Sequence, residues 1–250
     1  MIKSDGSVSV TVRQEEIRGF SQSILSSTRF LGGGAGGIMG EFAEGLARKG
    51  AGAIYLCDHD TVEITNLNRQ RFYKKDIGNN KAISLAQNLV EECTCGTDLI
   101  GYPYSIQKMI EDRIIPNFDF GIAGFDNEPA RYDFAQLLLE KKKPGIFLGV
   151  SEDADSGYVL VQEAEGPCYS CAFPPHGESK KMPCPGVPAV KDILKTLGGI
   201  GLYAVDSVLM SRKRFWNLWV VSLSGWMPDV KMRVEKRINC EFCSMKKRGR

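Results

Sequence analysis

The run RFLGGGAGGIMGEF, from Arg29 to Phe42, restricts this chain more than any other segment. Its apolar lead-in, its cluster of glycines and the helical spacing of Ile38, Phe42, Leu46 and Ala47 describe a strand that turns sharply into a helix. With few side chains in the turn, backbone N–H groups and the positive end of the helix can approach phosphate oxygens. Glycine turns also form for steric reasons alone, so the run by itself leaves nucleotide binding open. Asp58 narrows the choice, because it stands about 22 residues beyond Gly36, at the end of the apolar strand Ala53 to Cys57, where a ribose-binding carboxylate is expected.

The alternation continues through a helix over Lys81 to Glu92, strands over Leu99 to Tyr104 and Phe118 to Ala123, a helix over Glu128 to Lys141 and a strand over Gly145 to Val150. It predicts an α/β fold, a Rossmann-like doubly wound and mainly parallel sheet. After Val150 the pattern changes. A strand from Gly157 to Gln162 leads into a cysteine knuckle and a Pro-, Lys- and Gly-rich loop from Phe173 to Pro188. A helix from about Val190 to Ser211 then gives way to short strands through Trp219, Val221 and Val230 to Val234, an antiparallel C-terminal portion. No repeat or linker divides the chain, so residues 1–250 read as one domain, with an arm over 1–27 and a nucleotide-binding core over 28–150.

Composition excludes several classes of function. Lys and Arg number 32 against 30 Asp and Glu, a net charge of +2 that argues against nucleic acid or an anionic membrane as the main partner. No apolar run approaches the roughly 20 residues of a membrane span, and MIKSDGSVSV lacks the apolar core of a signal peptide, so a cytoplasmic location is expected. In that setting the 8 cysteines read as thiols or metal ligands, not as a disulfide framework.

Two further groups of residues carry chemistry. The segment DHDTVEITNLNRQRF, followed by Lys81 at a helix start, allows Asn66, Arg69 and Lys81 to converge on a triphosphate and neutralise charge as pyrophosphate leaves. A nicotinamide- or flavin-dependent oxidoreductase, the rival suggested by the glycine turn and Asp58, needs no such cluster. The pairs Cys168/Cys171 and Cys240/Cys243 each place two thiolates on one tight turn, and together they make a closed four-cysteine set suited to structural zinc. A redox CxxC is the alternative for either pair. Because the two pairs lie far apart in sequence, the fold must bring them together. His59 and His176 are the only histidines, too few for a Ser-His-Asp triad or a His-based metal centre. Cys93 and Cys95, at a helix end, read as structural or incidental.

GAGG at Gly34 to Gly37, DHDTVEITNLNRQ at Asp58 to Gln70 and GFDN at Gly124 to Asn127 together resemble the ThiF/HesA/MoeB family, which includes the ubiquitin-activating enzymes. The resemblance covers most of the chain. It implies ATP-dependent adenylation of the C-terminal glycine carboxylate of a ubiquitin-like or sulfur-carrier protein ending in Gly-Gly, with ATP, Mg2+ and Zn2+ bound. By resemblance Asp58 holds the ribose, Asn66 and Arg69 meet the phosphates, Lys81 is the family's helix-start lysine and Asp126 positions Mg2+. The implied nucleotide set is Gly34, Gly36, Gly37, Asp58, Asp60, Asn66, Asn68, Arg69, Gln70, Lys81, Asp126 and Asn127. Arg13, with Gln14, matches an Arg-Gln pair that in the family reaches the partner's ATP across a homodimer. Residues 151–250 would then hold the zinc site, the crossover loop and the partner-binding part. Cys184, between prolines in that loop, stands where sulfur-transferring and conjugating relatives carry a reactive cysteine; a covalent role and a plain loop residue both remain open. Two departures stand out. Met39 replaces the third glycine, an exchange expected to crowd the helix against the strand unless Gly32, Gly33 and Gly40 give relief. Ala123 replaces an aspartate near the metal. These keep open a catalytically silent member serving as a heterodimer scaffold, and adenylation of a small peptide or a tRNA base is a further alternative.

Overall fold

A computed structural model describes residues 9–93, 95–175 and 190–243 of the chain. Two short helices, α1 (Val12–Glu15) and α2 (Gln22–Ser27), precede β1 (Arg29–Gly33), α3 (Gly37–Arg48) and β2 (Ala53–Cys57). Next come α4 (Lys81–Glu92), β3 (Asp98–Tyr102), α5 (Ile106–Glu111), β4 (Phe120–Ala123), α6 (Glu128–Lys141) and β5 (Gly145–Val150). The remaining elements are β6 (Ser156–Gln162), α7 (Tyr169–Ala172), α8 (Lys191–Leu209), β7 (Leu218–Ser222) and β8 (Val230–Met232).

One 8-stranded sheet runs in the order β3-β2-β1-β4-β5-β6-β7-β8. The first five strands pair in parallel, and β6, β7 and β8 add antiparallel. The expected mainly parallel sheet with an antiparallel C-terminal portion is present. Strands β1, β4 and β5 read as continuous apolar runs because helices cover both faces, as parallel sheets require. On one face α3, α4 and α8 pack through Phe42, Leu46, Leu85, Leu197 and Val205; on the other, α5 and α6 pack through Met109, Phe134 and Leu138.

Some boundaries differ from the expected ones. The strand expected to reach Tyr104 ends at Tyr102, since Pro103 has no N–H to continue the ladder. The helix α5 lies in a stretch where none was expected, started by Ser105, whose hydroxyl accepts the Lys108 N–H. The arm over 1–27 contains α2, capped in the same way by Ser21. Among the described residues no helix is long and apolar enough to cross a membrane.

Candidate nucleotide site

The strand order reverses between β1 and β4, so the crevice at their carboxyl ends is the place where open α/β sheets bind ligands. Strands β1, β2 and β4 end there at Gly33, Cys57 and Ala123, each next to one sequence-predicted motif. The fold thus gathers at one edge the glycine turn, the segment that starts at Asp58 and the GFDN loop.

At the turn, Gly34 has φ +84°, and a Cβ there would lie 2.9 Å from the Gly124 carbonyl oxygen, so the glycine is required sterically. Gly36 precedes α3, and no side chain caps this helix. The first N–H groups of α3 therefore face the crevice with the positive end of the helix dipole, and the space beside Gly36 is open. Half-buried Gln70 packs against Gly37, and its buried Oε1 has no hydrogen-bond partner. An uncapped helix end and an open cradle fit the phosphate oxygens of a bound ligand, whereas the orphaned amide oxygen, an acceptor, could be satisfied only by a donor such as a hydroxyl.

Met39 is fully buried, and its expected crowding is relieved by two glycines. A Cβ at Gly32 would stand 3.1 Å from the Met39 Sδ, and one at Gly124 would stand 3.3 Å from its Cε. Gly33 and Gly40 instead make room for the Phe125 ring and the Arg71 stem.

Asp58 ties the second strand to the turn. Its Oδ2 accepts the Ala35 N–H at 2.7 Å and its Oδ1 accepts the Asp60 N–H at 2.9 Å. Burial raises its pKa above the ordinary carboxylate value, while the two N–H groups act in the opposite sense. Lys81 Nζ donates to Asp60 Oδ2 at 2.8 Å. Arg69 Nη1 donates to the Thr65 carbonyl at 2.8 Å and to Asn68 Oδ1 at 3.0 Å. Asn66 is buried and accepts the Glu63 N–H at 2.9 Å, so in this state its carbonyl oxygen shapes the loop. Asp126 and Asn127 are exposed at the rim, and Asn127 Oδ1 caps α6 through the Ala130 N–H.

Two residues belong to the site that sequence reasoning passed over. Asn80 donates to the Asp58 and Asp60 carbonyls at 2.8 and 3.1 Å while its Oδ1 caps α4. Its signal was a cap-forming residue directly before Lys81. Lys191, in the first turn of α8, pairs with Glu41 at 2.6 Å and reaches the Arg69 carbonyl at 3.5 Å. No local signal marks it. Arg13 is not brought to the crevice of its own chain. Its neighbour Gln14 donates to the Lys49 carbonyl at 2.7 Å, at the far end of α3 from the glycine turn. Cys184, His176 and most of the expected crossover loop lie outside the described residues.

The cysteine pairs do meet. Cys168 and Cys240 sulfurs lie 3.5 Å apart, Cys171 and Cys243 3.4 Å, and Cys168 and Cys171 3.9 Å. A disulfide would need about 2.05 Å. Four sulfurs each at about 2.3 Å from one tetrahedral ion would stand about 3.8 Å apart, so the set fits a metal of zinc's preference. The Arg237 N–H lies 3.5 Å from Cys171 Sγ, and its guanidinium donates to the Ser170 carbonyl, bracing the knuckle. Burial and the neighbouring sulfurs push the Cys168 thiol up. At Cys240 burial opposes ionisation, but the Cys243 and Phe242 N–H groups bring the thiol down to about 6.

The model of the ThiF family matches residues 10–212. The chain belongs to this family. Ubiquitin-like modifier-activating enzyme 5 of Arabidopsis thaliana is 31% identical over 176 residues, covering 64% of this chain and 39% of that protein. Adenylyltransferase and sulfurtransferase MOCS3-1 of Zea mays is 26% identical over 225 residues, covering 83% of this chain and 47% of its own. The chain therefore spans less than half the length of these two relatives. Among solved structures, Escherichia coli MccB crystallised with ATP superposes with a TM-score of 0.73 at 18% identity, covering 89% of this chain and 68% of that one. The last comparison establishes likeness of fold.

Proposed function

We propose that this ThiF-family chain adenylates the C-terminal glycine carboxylate of a ubiquitin-like or sulfur-carrier protein, using ATP. The observation that supports this reading is the uncapped α3 terminus beside the Asp58 anchor at the switch point of the sheet, with the Arg69 backbone packed on Gly37 and Lys81 paired with Asp60 next to that anchor. An oxidoreductase reading leaves the two cations unexplained. The names of the relatives, an activating enzyme and an adenylyltransferase, point the same way.

The partner's carboxylate oxygen forms a bond to the α-phosphorus, the bond from that phosphorus to the β-phosphate oxygen breaks, and pyrophosphate leaves. No general base is required, because the attacking carboxylate is already ionised. Asp58 accepts the ribose hydroxyls and the α3 N–H groups receive phosphate oxygens. Arg69 and Lys81 exchange their present partners, the Thr65 carbonyl, Asn68 and Asp60, for phosphate and neutralise the departing charge. Asn68, Gln70 and Asn127 would complete the nucleotide-binding set in this reading. Asp126 is the residue to hold Mg2+, which when bound would screen phosphate charge. Cys168, Cys171, Cys240 and Cys243 would hold zinc in a closed, structural set, leaving its chemistry outside the reaction. Arg13 would serve the neighbouring site of a homodimer.

ATP–pyrophosphate exchange tests the reading. Exchange should require the carrier protein, and Arg69→Ala or Asp126→Ala should lower its rate about 10²-fold or more, the loss typical of a pre-organised charge at the transition state. Wild-type exchange in both variants would remove these roles. Carrier-dependent exchange absent from the wild-type chain would favour the scaffold reading that Ala123 suggests.

A further inference from the structure

Asp126 lies on an exposed loop, and a carboxylate there can place a cation only if its backbone is held. The peptide that joins Phe125 to Asp126 is planar, so fixing the Phe125 carbonyl also fixes the direction in which Asp126 leaves the strand. Arg131 does this from the first turns of α6. Its Nη2 donates to the Phe125 carbonyl at 2.6 Å and its Nη1 to Glu128 Oε1 at 2.5 Å. Its side chain is 12% exposed, an expensive place for a cation whose only work is to decorate a helix.

Glu128 is held in turn. The Tyr169 hydroxyl donates to both of its oxygens, at 3.1 and 3.0 Å. The Tyr158 hydroxyl lies 3.0 Å from that of Tyr169 and, with the Tyr169 proton committed to Glu128, is the donor between them. Tyr169 is itself part of the cysteine knuckle, between Cys168 and Cys171. It is fully packed: its N–H donates to Gln162 Oε1 at 2.8 Å, and its ring stacks near Phe147 at 4.7 Å between centroids. A continuous set of hydrogen bonds thus joins the four-thiol cluster to the peptide that carries Asp126. A knuckle fixed by four sulfurs is a rigid post, and each later member has its rotamer locked by the one before.

We propose that Arg131 is a positioning residue which, braced by Glu128 and Tyr169 on the cysteine knuckle, orients Asp126 and thereby sets the affinity of the nucleotide site for Mg2+. This rests on the assignment of Asp126 above. The residues act through backbone geometry, so their effect is expected on the metal dependence of binding.

The measurement is ATP binding by calorimetry on the full, zinc-replete chain, with Mg2+ varied and with EDTA as the metal-free arm. Arg131→Met should raise the Mg2+ concentration for half-maximal enhancement about 10-fold, the usual scale for residues that orient a ligand from behind. Tyr169→Phe, which removes one hydroxyl and keeps the ring, should raise it by a smaller factor. ATP affinity in EDTA and the zinc content should match wild type in both. The double variant should shift no further than Arg131→Met alone, because Tyr169 acts through Arg131. An unshifted Mg2+ dependence in folded Arg131→Met, or an equal loss of affinity with and without Mg2+, overturns the proposal. If Arg131→Met does not fold, Tyr169→Phe carries the same decision. Wild-type protein whose ATP binding ignores Mg2+ would remove the role of Asp126 itself, a result distinct from a metal-dependent wild type with unchanged variants.

Discussion

At the scale of single residues, Met39 shows how a departure from the family's glycine pattern is absorbed. Its side chain fills the space between β1 and the GFDN loop that Gly32 and Gly124 leave empty. Met39→Ala should therefore open a cavity and cost about 2–4 kcal/mol in urea unfolding. Gly32→Ala should also destabilise, because its Cβ would meet the Leu56 Cδ2 at 3.0 Å and the Met39 Sδ at 3.1 Å. The double substitution should cost less than the sum, since the new methyl occupies part of the vacated volume. Strict additivity would mean that the two side chains do not share this space. The sequence named Met39 as the departure and Gly32 as a source of relief, because both lie in one short run. It missed Gly124, a contact made across two strands, and no local pattern encodes such a pairing. For the same reason the places of Asp58 after β2 and Lys81 at the start of α4 were legible from spacing, whereas Lys191, which reaches the Arg69 carbonyl from another helix, was not.

At the scale of elements, the switch point needs β1 and β4 held together at one end while their other ends receive a ligand. Arg29, at the start of β1, grips Asp119, just before β4, through Nε at 2.9 Å, Nη2 at 3.1 Å and its own N–H at 3.1 Å. The hydrogen bond from Arg29 holds the Asp119 carboxyl down at about 2 against an unfolded value of about 3.9. A depressed carboxyl contributes stability that is complete above the unfolded value and is lost as pH falls through the folded one. Both side chains are about one third exposed, so solvent screening limits the contribution to about 1 kcal/mol. Asp119→Asn should be less stable than wild type by about that amount at neutral pH. The two unfolding curves should converge as pH falls from about 4 to about 2; a constant difference across this window would assign the effect to packing. Legibility at this scale followed length and pattern. Helices α4 and α6 and strands β2 and β5 have the bounds that periodicity and caps predict. The helices α2 and α5, of 6 residues each, are too short to stand without tertiary packing, and only Ser21 and Ser105 announce them.

At the scale of the whole molecule, two features depend on segments distant in sequence or on a second copy of the chain. The four cysteines join the turn after β6 to the segment beyond β8, so metal binding is coupled to docking of that segment. One equivalent of zinc per chain is expected by elemental analysis, and Cys240→Ser should lose it with a lower melting temperature; protein free of zinc when prepared without chelators would refute the site. Arg13 poses the second question. The helix α3 has 12 residues, about 18 Å at 1.5 Å per residue, and Gln14 is fastened at its far end from the glycine turn. An exposed arginine so placed cannot neutralise phosphate in its own crevice without moving that distance. In a two-fold dimer, however, the same patch on each copy meets its counterpart, and the arm of one protomer can lie against the site of the other. Arg13→Ala and Arg69→Ala should each abolish most exchange activity. Mixed after dissociation and reassociation, the two inactive variants should then recover about a quarter of wild-type activity, because half of the dimers are mixed and one site in each has both arginines intact. If Arg13 served its own chain, every site in the mixture would lack one arginine and no activity would return.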